Sequence, residues 1–589
     1  MSDNILLRGL TRRQFLKTTA VATALAAVGD RLFGGPVSAL AKGEAKAAPT
    51  GDAWVPNVCN LCDQNCGLQV HVVNGVVVKV EGEPNHPMNR GRICGRPNTY
   101  PMYLYNPYRV KAPMKRTNPE KGLGVDPKWV EISWDEALNT VAEKMKGVRA
   151  KDPHRFWLHA GHRSLGEMWS SFGSAFGSTT KLGSVNFCTG GANHMSSVYL
   201  QGGAGAHPYM DFTKYFIEVG GRLYGAKGAP EVIRYATRLR EQGMKVVEVC
   251  PIIPPSMPNP DEWVPIKVGT DAAFALSMQY VMIHELGASY PGYDVEFLKQ
   301  RTNGPYLIRP DGMYMRAEGT GDKKVKDSTR LDQEFGKPLV WDAVENKAKT
   351  YDDPTVKDYA LEGTFKVKWK DMAEVECKPG FQMLKDNLKK YTPEYAEKIT
   401  EIPAATIRRI TKEFVDAARI GSTIVLEGEE FRYRPAAYSY SKSYSGSRGW
   451  QTQSAMKSVN VLIGNTNSPG GWGDFEADLT ANPADGCMTI HDFKYTHVKF
   501  PPEFPGLSFD SRTGGGGMYP MTYNLNGLAW FAMNDPQKYW LQHPAEIYAF
   551  NGANLMGNSY SPEFIAQQIK KIPFVWGTPY HFDDIAELA

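Results

Sequence analysis

The sequence predicts an α/β protein with a small β module at its front. The class follows from a strand–glycine loop–helix–strand pattern at 215–249 that recurs at 547–576. The module follows from four cysteines, Cys59, Cys62, Cys66 and Cys94, placed around a hairpin signal. Composition is that of a globular protein, 42% hydrophobic and 22% charged, with no apolar run long enough to span a bilayer. At 589 residues the chain has room for three or four domains. The net charge of +4 is small, and no basic patch argues for nucleic acid. Eight cysteines are too few for a disulfide scaffold.

Residues 1–41 read as an export leader. Thr11-Arg12-Arg13-Gln14-Phe15-Leu16-Lys17 is a twin-arginine pattern, followed by a mild apolar stretch, Thr18 to Val28, and a small-residue site, Ala39-Leu40-Ala41. The apolar stretch is too short and too rich in Ala and Thr to remain in a membrane. Twin-arginine export carries folded proteins, which suits a chain loaded with cofactor before it leaves. The mature chain is expected to start near Lys42, on the outer face of the cytoplasmic membrane or in the periplasm.

Residues 52–112 form the cysteine module. The cysteines read C-x2-C-x3-C, then a gap of 27 residues and the fourth. A cubane iron–sulfur cluster takes one thiolate per iron, and a tight group plus a distant cysteine supplies four. Asn74-Gly75 lies between two β-branched runs, a two-residue hairpin signal that returns Cys94 to the other three. Structural zinc is the alternative; it prefers paired C-x2-4-C motifs or Cys/His mixtures.

Downstream, Ser133-Trp134-Asp135-Glu136 has capping-box form and opens a helix to about Lys146. Tyr215–Val219 reads as a buried strand ending in Gly220-Gly221, followed by a helix from Pro230 to Gln242 and a strand at Lys245–Val249. Arg301 to about Lys370 is polar and poorly periodic, a solvated surface lobe. Ala404–Ala418 is an amphipathic helix, with a strand at Ser422–Leu426. Ser439–Gly473, rich in Ser, Tyr and Gly, suits either a loop around a ligand or a plain surface loop. Near the C-terminus come the strand Ile547–Phe550, a helix Pro562–Lys571 capped by Ser561, and the strand Phe574–Trp576. Strand–glycine loop–helix units aim backbone N–H groups at phosphates, so two of them suggest a nucleotide-bearing cofactor.

The chain resembles the molybdenum or tungsten bis-pterin oxidoreductases, the dimethyl sulfoxide reductase family. The resemblance is carried by the leader, the four cysteines, Gly91-Arg92-Ile93-Cys94-Gly95-Arg96 and Ile132-Ser133-Trp134-Asp135-Glu136-Ala137-Leu138. It continues through Asp261-Glu262-Trp263-Val264-Pro265-Ile266, Gly269-Thr270-Asp271-Ala272-Ala273 and Pro469-Gly470-Gly471 to the final Asp584-Ile585-Ala586-Glu587-Leu588-Ala589. Its texture is most similar to the catalytic subunits of thiosulfate, polysulfide and arsenate respiratory reductases. The resemblance implies two doubly wound α/β pterin-binding domains behind the iron–sulfur module. One is made of 113–165 and 445–589, the other of 166–444 with a polar insertion at 301–370. It implies a 4Fe-4S cluster and molybdenum (or tungsten) held by two molybdopterin guanine dinucleotides and one protein ligand.

Cys188, in Gly183-Ser184-Val185-Asn186-Phe187-Cys188-Thr189-Gly190-Gly191, falls where the family has that ligand. A soft thiolate suits a sulfur-rich molybdenum site, whereas a lone cysteine of no special role is a buried structural residue. Arg96 stands where the family places a Lys or Arg between cluster and pterin; a fixed positive charge there favours the reduced states. His162, Arg163 and His194 are candidates to face an oxyanion substrate. Gly220 and Asp271 are candidate contacts to one dinucleotide, with an N-cap role the plain alternative for Asp271. Asn551 and Asn554 are candidate contacts to the other.

There are departures. Thr189 stands where family formate dehydrogenases have a His. Cys250-Pro251-Ile252 replaces the usual Asp-Pro-Arg, and the loop Gly220-Gly221-Arg222 lacks the usual Asn. The family runs on past Ala589 into a barrel-like C-terminal domain; three readings are open for its apparent absence here, a fragment of a longer protein, a domain supplied by a separate chain, or a broken gene. The expected function is two-electron oxygen- or sulfur-atom transfer on a compound such as thiosulfate, polysulfide, tetrathionate or arsenate. The expected partners are an iron–sulfur electron-transfer subunit, a membrane anchor subunit and a small inorganic substrate. The alternatives are a hydratase on the same scaffold, a formate or nitrate oxidoreductase, and an inactive electron-transfer protein.

Overall fold

The computed structural model describes residues 51–160, 212–220, 240–317, 336–440, 449–474 and 526–589, short gaps apart, with parts of 169–183 and 206–208. In chain order, the first elements are strands β1 (Asp52–Val58), β2 (Gly67–Val73) and β3 (Val76–Gly82), then helices α1 (Tyr100–Leu104) and α2 (Trp134–Lys151). Strands β4 (Phe156–Ala160), β5 (Lys181–Gly183), β6 (Tyr215–Val219), β7 (Lys245–Val249) and β8 (Glu262–Val264) follow. Next are helices α3 (Asp271–Tyr280) and α4 (Ala404–Ala418), strand β9 (Ala436–Tyr440) and helix α5 (Gly449–Leu462). Strand β10 (Ile547–Asn551), helix α6 (Pro562–Lys570) and strand β11 (Phe574–Gly577) complete the set. The chain forms two compact units, Met1–Cys188 with Thr480–Ala589, and Thr189–Leu479.

In the first unit, β1, β2 and β3 make an antiparallel sheet. The β2–β3 turn uses Asn74 and Gly75, both at positive φ (50° and 80°), the conformation an Asn-Gly hairpin turn requires. Ser133 caps α2, its Oγ accepting from Glu136 N at 3.1 Å. The helix runs to Lys151, a turn beyond the expected end, because Gly147 does not break it; Arg149 and Lys151 complement its C-terminal dipole. Four parallel strands follow in the order β11-β10-β4-β5. Trp157, Trp530, Tyr548 and Ile569 fill one side of this sheet. Ser561 sits at the cap position of α6, but its side chain makes no capping hydrogen bond.

The second unit carries another four-stranded parallel sheet, ordered β8-β7-β6-β9. Strand β6 and strand β7 occupy their expected positions; the helix expected at 230–242 lies almost wholly outside the described residues. The strand expected at Ser422–Leu426 is present as Thr423–Leu426 and pairs with Glu429–Arg432 in a separate antiparallel hairpin, while β9 lies beside β6. Its sequence, AAYSY, carries no run of large apolar residues, yet Ala436, Ala437, Tyr438 and Ser439 are all fully buried. Being at the sheet edge, β9 needs partners for its outward backbone groups. Asn460 supplies them for Tyr438, bonding its N–H at 2.9 Å and its carbonyl at 2.7 Å, and Asn465 donates to Ala436 O at 2.8 Å. Asn460 lies on α5 and Asn465 just past its end, and α5 packs on α3, so 449–474 belongs with the second unit, whereas the sequence reading placed it with 113–165.

The polar stretch after Arg301 is more than a solvated lobe. Strands at Leu307–Ile308, Arg316–Ala317, Lys337–Asp342, Lys347–Thr350, Phe365–Val367 and Val375–Pro379 form two small antiparallel sheets. They enclose a core of Leu307, Met315, Leu339, Val367 and Cys377. The buried Asp342 carboxylate accepts from Lys349 Nζ at 2.7 Å and from the N–H groups of Val344 and Lys357. Charged residues here close a loop around one hub, which is why the sequence reads as polar without periodicity.

Arg434, 3% exposed, donates through Nε and Nη2 to Asp294 Oδ2 at 3.1 and 2.7 Å. Its Nη1 bonds the carbonyls of Ser422 and Tyr433, and Asp294 Oδ1 caps Phe297 N. Asp294→Ala should therefore leave a buried guanidinium uncompensated and destabilise the second unit by about 3–5 kcal/mol, measured by calorimetry or urea titration.

His159 on β4 is fully buried, and burial pushes its pKa down to about 3. The unfolded chain, with an imidazole near its ordinary value, takes up the proton first. Stability should thus be at its full value above about pH 6.5 and decline as pH falls towards about 3. Replacing His159 with Phe should flatten that slope in melting temperature against pH.

Candidate metal and cofactor site

The four-cysteine module is built by backbone geometry. Beyond the end of β1, Cys59 N donates to Cys66 O at 2.8 Å, so two of the cysteines face each other across the mouth of the hairpin. Both are buried, in a small core with Leu68 and Val80, against which Ile93 and Tyr100 pack. Cys94 follows Ile93 and is partly exposed. Cys62 lies outside the described residues, and among those described no three metal-ligating side chains meet as one group.

The loop that brings Cys94 back depends on Gly82 and Asn89. A Cβ on Gly82 would come within 2.3 Å of Gly91 O, so only glycine lets the returning loop lie this close to the end of β3. Gly91 itself sits at φ +81°. Asn89, 2% exposed, accepts from Gly67 N at 2.9 Å and donates to Gly67 O at 3.0 Å and to Arg92 O at 2.9 Å. One amide thus ties the loop before Cys94 to the residue after Cys66. Sequence reasoning missed Asn89, since a polar residue in a loop leaves no periodic signal.

Two donors are aimed at sulfur. Arg96 Nε donates to Cys94 Sγ at 3.4 Å, and the Tyr100 hydroxyl donates to Cys59 Sγ at 3.6 Å. Buried thiolates need such donors, and ligand sulfurs of an anionic cluster take them readily. The residues therefore fit an iron–sulfur cluster in the donors they present.

Each parallel sheet has one place where the strand order reverses: between β4 and β10 in the first unit, and between β6 and β9 in the second. Ligands of open parallel sheets sit outside the carboxyl ends of the strands at such points. Asn551 ends β10, its amide donating to Thr578 Oγ1 just past β11. Asn554 accepts from Met556 N at 3.0 Å and so caps a short helix, Leu555–Asn558. Gly220 follows β6 at φ +72°, its N–H donating to Val249 O at the end of β7. Arg163, His162 and His194, together with Cys188, lie outside the described residues.

Asp271 is the first residue of α3; Thr270 holds the cap position, so the N-cap role does not fall to Asp271. It is buried, and desolvation pushes its carboxyl above the usual range. The fully buried Tyr438 hydroxyl is raised by burial and by the Asp271 charge, and it forms no hydrogen bond with the described residues. A buried carboxyl beside an unsatisfied hydroxyl suits a polar ligand edge, so these residues fit a nucleotide-bearing group.

If the four cysteines hold one cluster, anaerobically prepared protein should contain about four iron and four labile sulfide per chain. Zinc without labile sulfide would sink the assignment. Asn89→Ala strands the Gly67 and Arg92 main-chain groups, at a cost of about 1–3 kcal/mol. It should lower iron content and the melting temperature of the module together.

Comparison with known proteins gives three family matches along the chain. Residues 52–106 match the molybdopterin oxidoreductase Fe4S4 domain, residues 109–589 match the molybdopterin oxidoreductase model, and residues 9–29 match the twin-arginine translocation signal sequence. The chain is 29% identical over 443 residues to a sulfite dehydrogenase subunit of Allochromatium vinosum, covering 70% of this chain and 42% of that protein. It is 27% identical over 474 residues to the arsenate respiratory reductase molybdopterin-containing subunit of a Shewanella species, covering 78% and 46%. It is 29% identical over 298 residues to the thiosulfate reductase molybdopterin-containing subunit of Salmonella typhimurium, covering 50% and 37%. The chain thus spans less than half the length of these relatives. Among solved structures, acetylene hydratase from Pelobacter acetylenicus superposes with a TM-score of 0.57 at 17% identity, over 91% of this chain and 62% of that one; this likeness concerns the fold alone. Among the described residues no helix is long and apolar enough to cross a membrane, and the leader directs twin-arginine export. The cofactors are a 4Fe-4S cluster and a molybdenum–molybdopterin group, and the chain belongs to the molybdopterin oxidoreductase family.

Proposed function

We propose that the chain is the catalytic subunit of an exported enzyme that oxidises or reduces a sulfur or arsenic oxyanion. The observation that carries this reading is the similarity to three relatives named for sulfite, arsenate and thiosulfate, each matched over 298 residues or more. Bound molybdenum–pterin supplies two-electron chemistry coupled to movement of an oxygen or sulfur atom, and the cluster supplies one-electron exchange with a partner.

In this reading Cys188 provides the protein thiolate to the metal, and Gly220, Asp271, Asn551 and Asn554 contact two guanine dinucleotides. Arg163 and His194 would hold the oxyanion by charge and hydrogen bonding. Arg96, bonded to Cys94, keeps a permanent positive charge beside a cluster ligand and so favours the reduced state. The partners are an iron–sulfur electron-transfer subunit and a membrane anchor subunit on the outer side of the cytoplasmic membrane. Cys59, Cys62, Cys66 and Cys94 form the electron entry or exit point.

Turnover coupled to a viologen dye tests the reading. With sulfite, thiosulfate, polysulfide, tetrathionate and arsenate as candidates, at least one should couple dye oxidation or reduction to its own conversion. Dye-independent addition of water to a substrate would instead favour a hydratase. Cys188→Ala should lower turnover by more than about 100-fold while the iron–sulfur signal is unchanged, because removing a metal ligand costs more than removing its outer support. Cys188→Ser should retain more activity, since its oxygen can still coordinate.

A further inference from the structure

Tyr100 lies 34 residues beyond Cys66 in sequence, yet its hydroxyl reaches the first cysteine of the cluster motif. The oxygen accepts from Asn60 N at 2.9 Å and donates to Cys59 Sγ at 3.6 Å. With a lone pair engaged by the Asn60 N–H, the single proton is directed at sulfur. The ring is half-buried against the core of Cys59, Cys66, Leu68 and Val80, and it opens α1, where Pro101 holds the first turn.

We propose that Tyr100 is a positioning residue that donates a hydrogen bond to the Cys59 ligand sulfur and thereby raises the reduction potential of the cluster. The inference rests on Cys59 being a cluster ligand. Reduction adds one electron, part of whose charge is carried by the ligand sulfurs. A donor to sulfur stabilises that more negative state over the oxidised one. No bond is made or broken, and the phenol proton remains on its oxygen in both states. Arg96 Nε makes the corresponding contact at Cys94, so the cluster has a charged donor on one side and a neutral one on the other. Because Tyr100 is neutral, its contribution does not depend on ionic strength, unlike that of an exposed charge.

The test uses the intact exported holoenzyme and a potentiometric titration followed by electron paramagnetic resonance. Tyr100→Phe keeps the ring and the helix start and removes only the hydroxyl. At a fixed potential its ratio of reduced to oxidised cluster should fall about tenfold, which is about 59 mV for one electron. Iron and labile sulfide should stay at the wild-type level. Pulsed resonance of the reduced wild type in D2O should show an exchangeable proton coupled to the cluster that Tyr100→Phe lacks. Fluorotyrosine placed at position 100, a stronger donor of the same shape, should move the potential up, and this arm holds even if the Phe variant fails to assemble. A loaded cluster whose potential responds to neither replacement overturns the role of Tyr100. Wild-type protein without labile sulfide would instead overturn the ligand assignment of Cys59, and the two failures are told apart by that one analysis.

Discussion

Parallel strand pairing is the constraint on which the rest of this structure depends. A parallel neighbour cannot be reached by a tight turn; the chain must leave the sheet, cross over and come back. In the first unit it leaves after β5 and returns at β10, with the whole of the second unit between. In the second it leaves after β8 and returns at β9, with the 301–379 lobe and α4 between. Each return places the new strand on the far side of the oldest one, and this reversal of order opens a crevice at the carboxyl ends. The same topology that makes the units discontinuous in sequence thus creates the places where a dinucleotide can lie.

The cysteine module solves a smaller problem by different means. Its antiparallel strands need only a two-residue turn, and Asn74-Gly75 provides it. The close approach at Gly82 and the three bonds of Asn89 then set the path that delivers Cys94. Arg96 and Tyr100 lie just beyond, on the 3-10 turn and helix that follow the last cysteine. The four cysteines and the two side chains that donate to sulfurs of Cys59 and Cys94 are therefore contributed by one short stretch, 59–100.

Polar residues do much of the specifying inside these units. Asn460 and Asn465 take the place of a missing neighbour strand along β9. Arg434 and Asp294 join the hairpin after α4 to the helix Val295–Arg301. Asp342 gathers the turns of the inserted lobe. Each is buried, and the bonds named here would be lost in an alternative packing at the cost of unpaired polar groups.

The sequence by itself determined the family, the export leader, the four-cysteine module, and the positions of β6, β7, α4, α6 and β10, because those features are local: spacings, a turn dipeptide, a helical period, runs of β-branched residues. It also marked Gly220, Asp271 and Asn551 as candidates, and it could do so only through motif resemblance. Only the tertiary structure decided the rest. Strand β9 is buried by its neighbours and has no strand-like run of its own. The lobe after Arg301 has a core assembled from residues scattered over some seventy positions. Asn89 and Tyr100 act across 22 and 41 residues of chain, and nothing in their own neighbourhoods marks them. A hydrogen bond between distant residues depends on where folding brings two atoms, and periodicity carries no record of that.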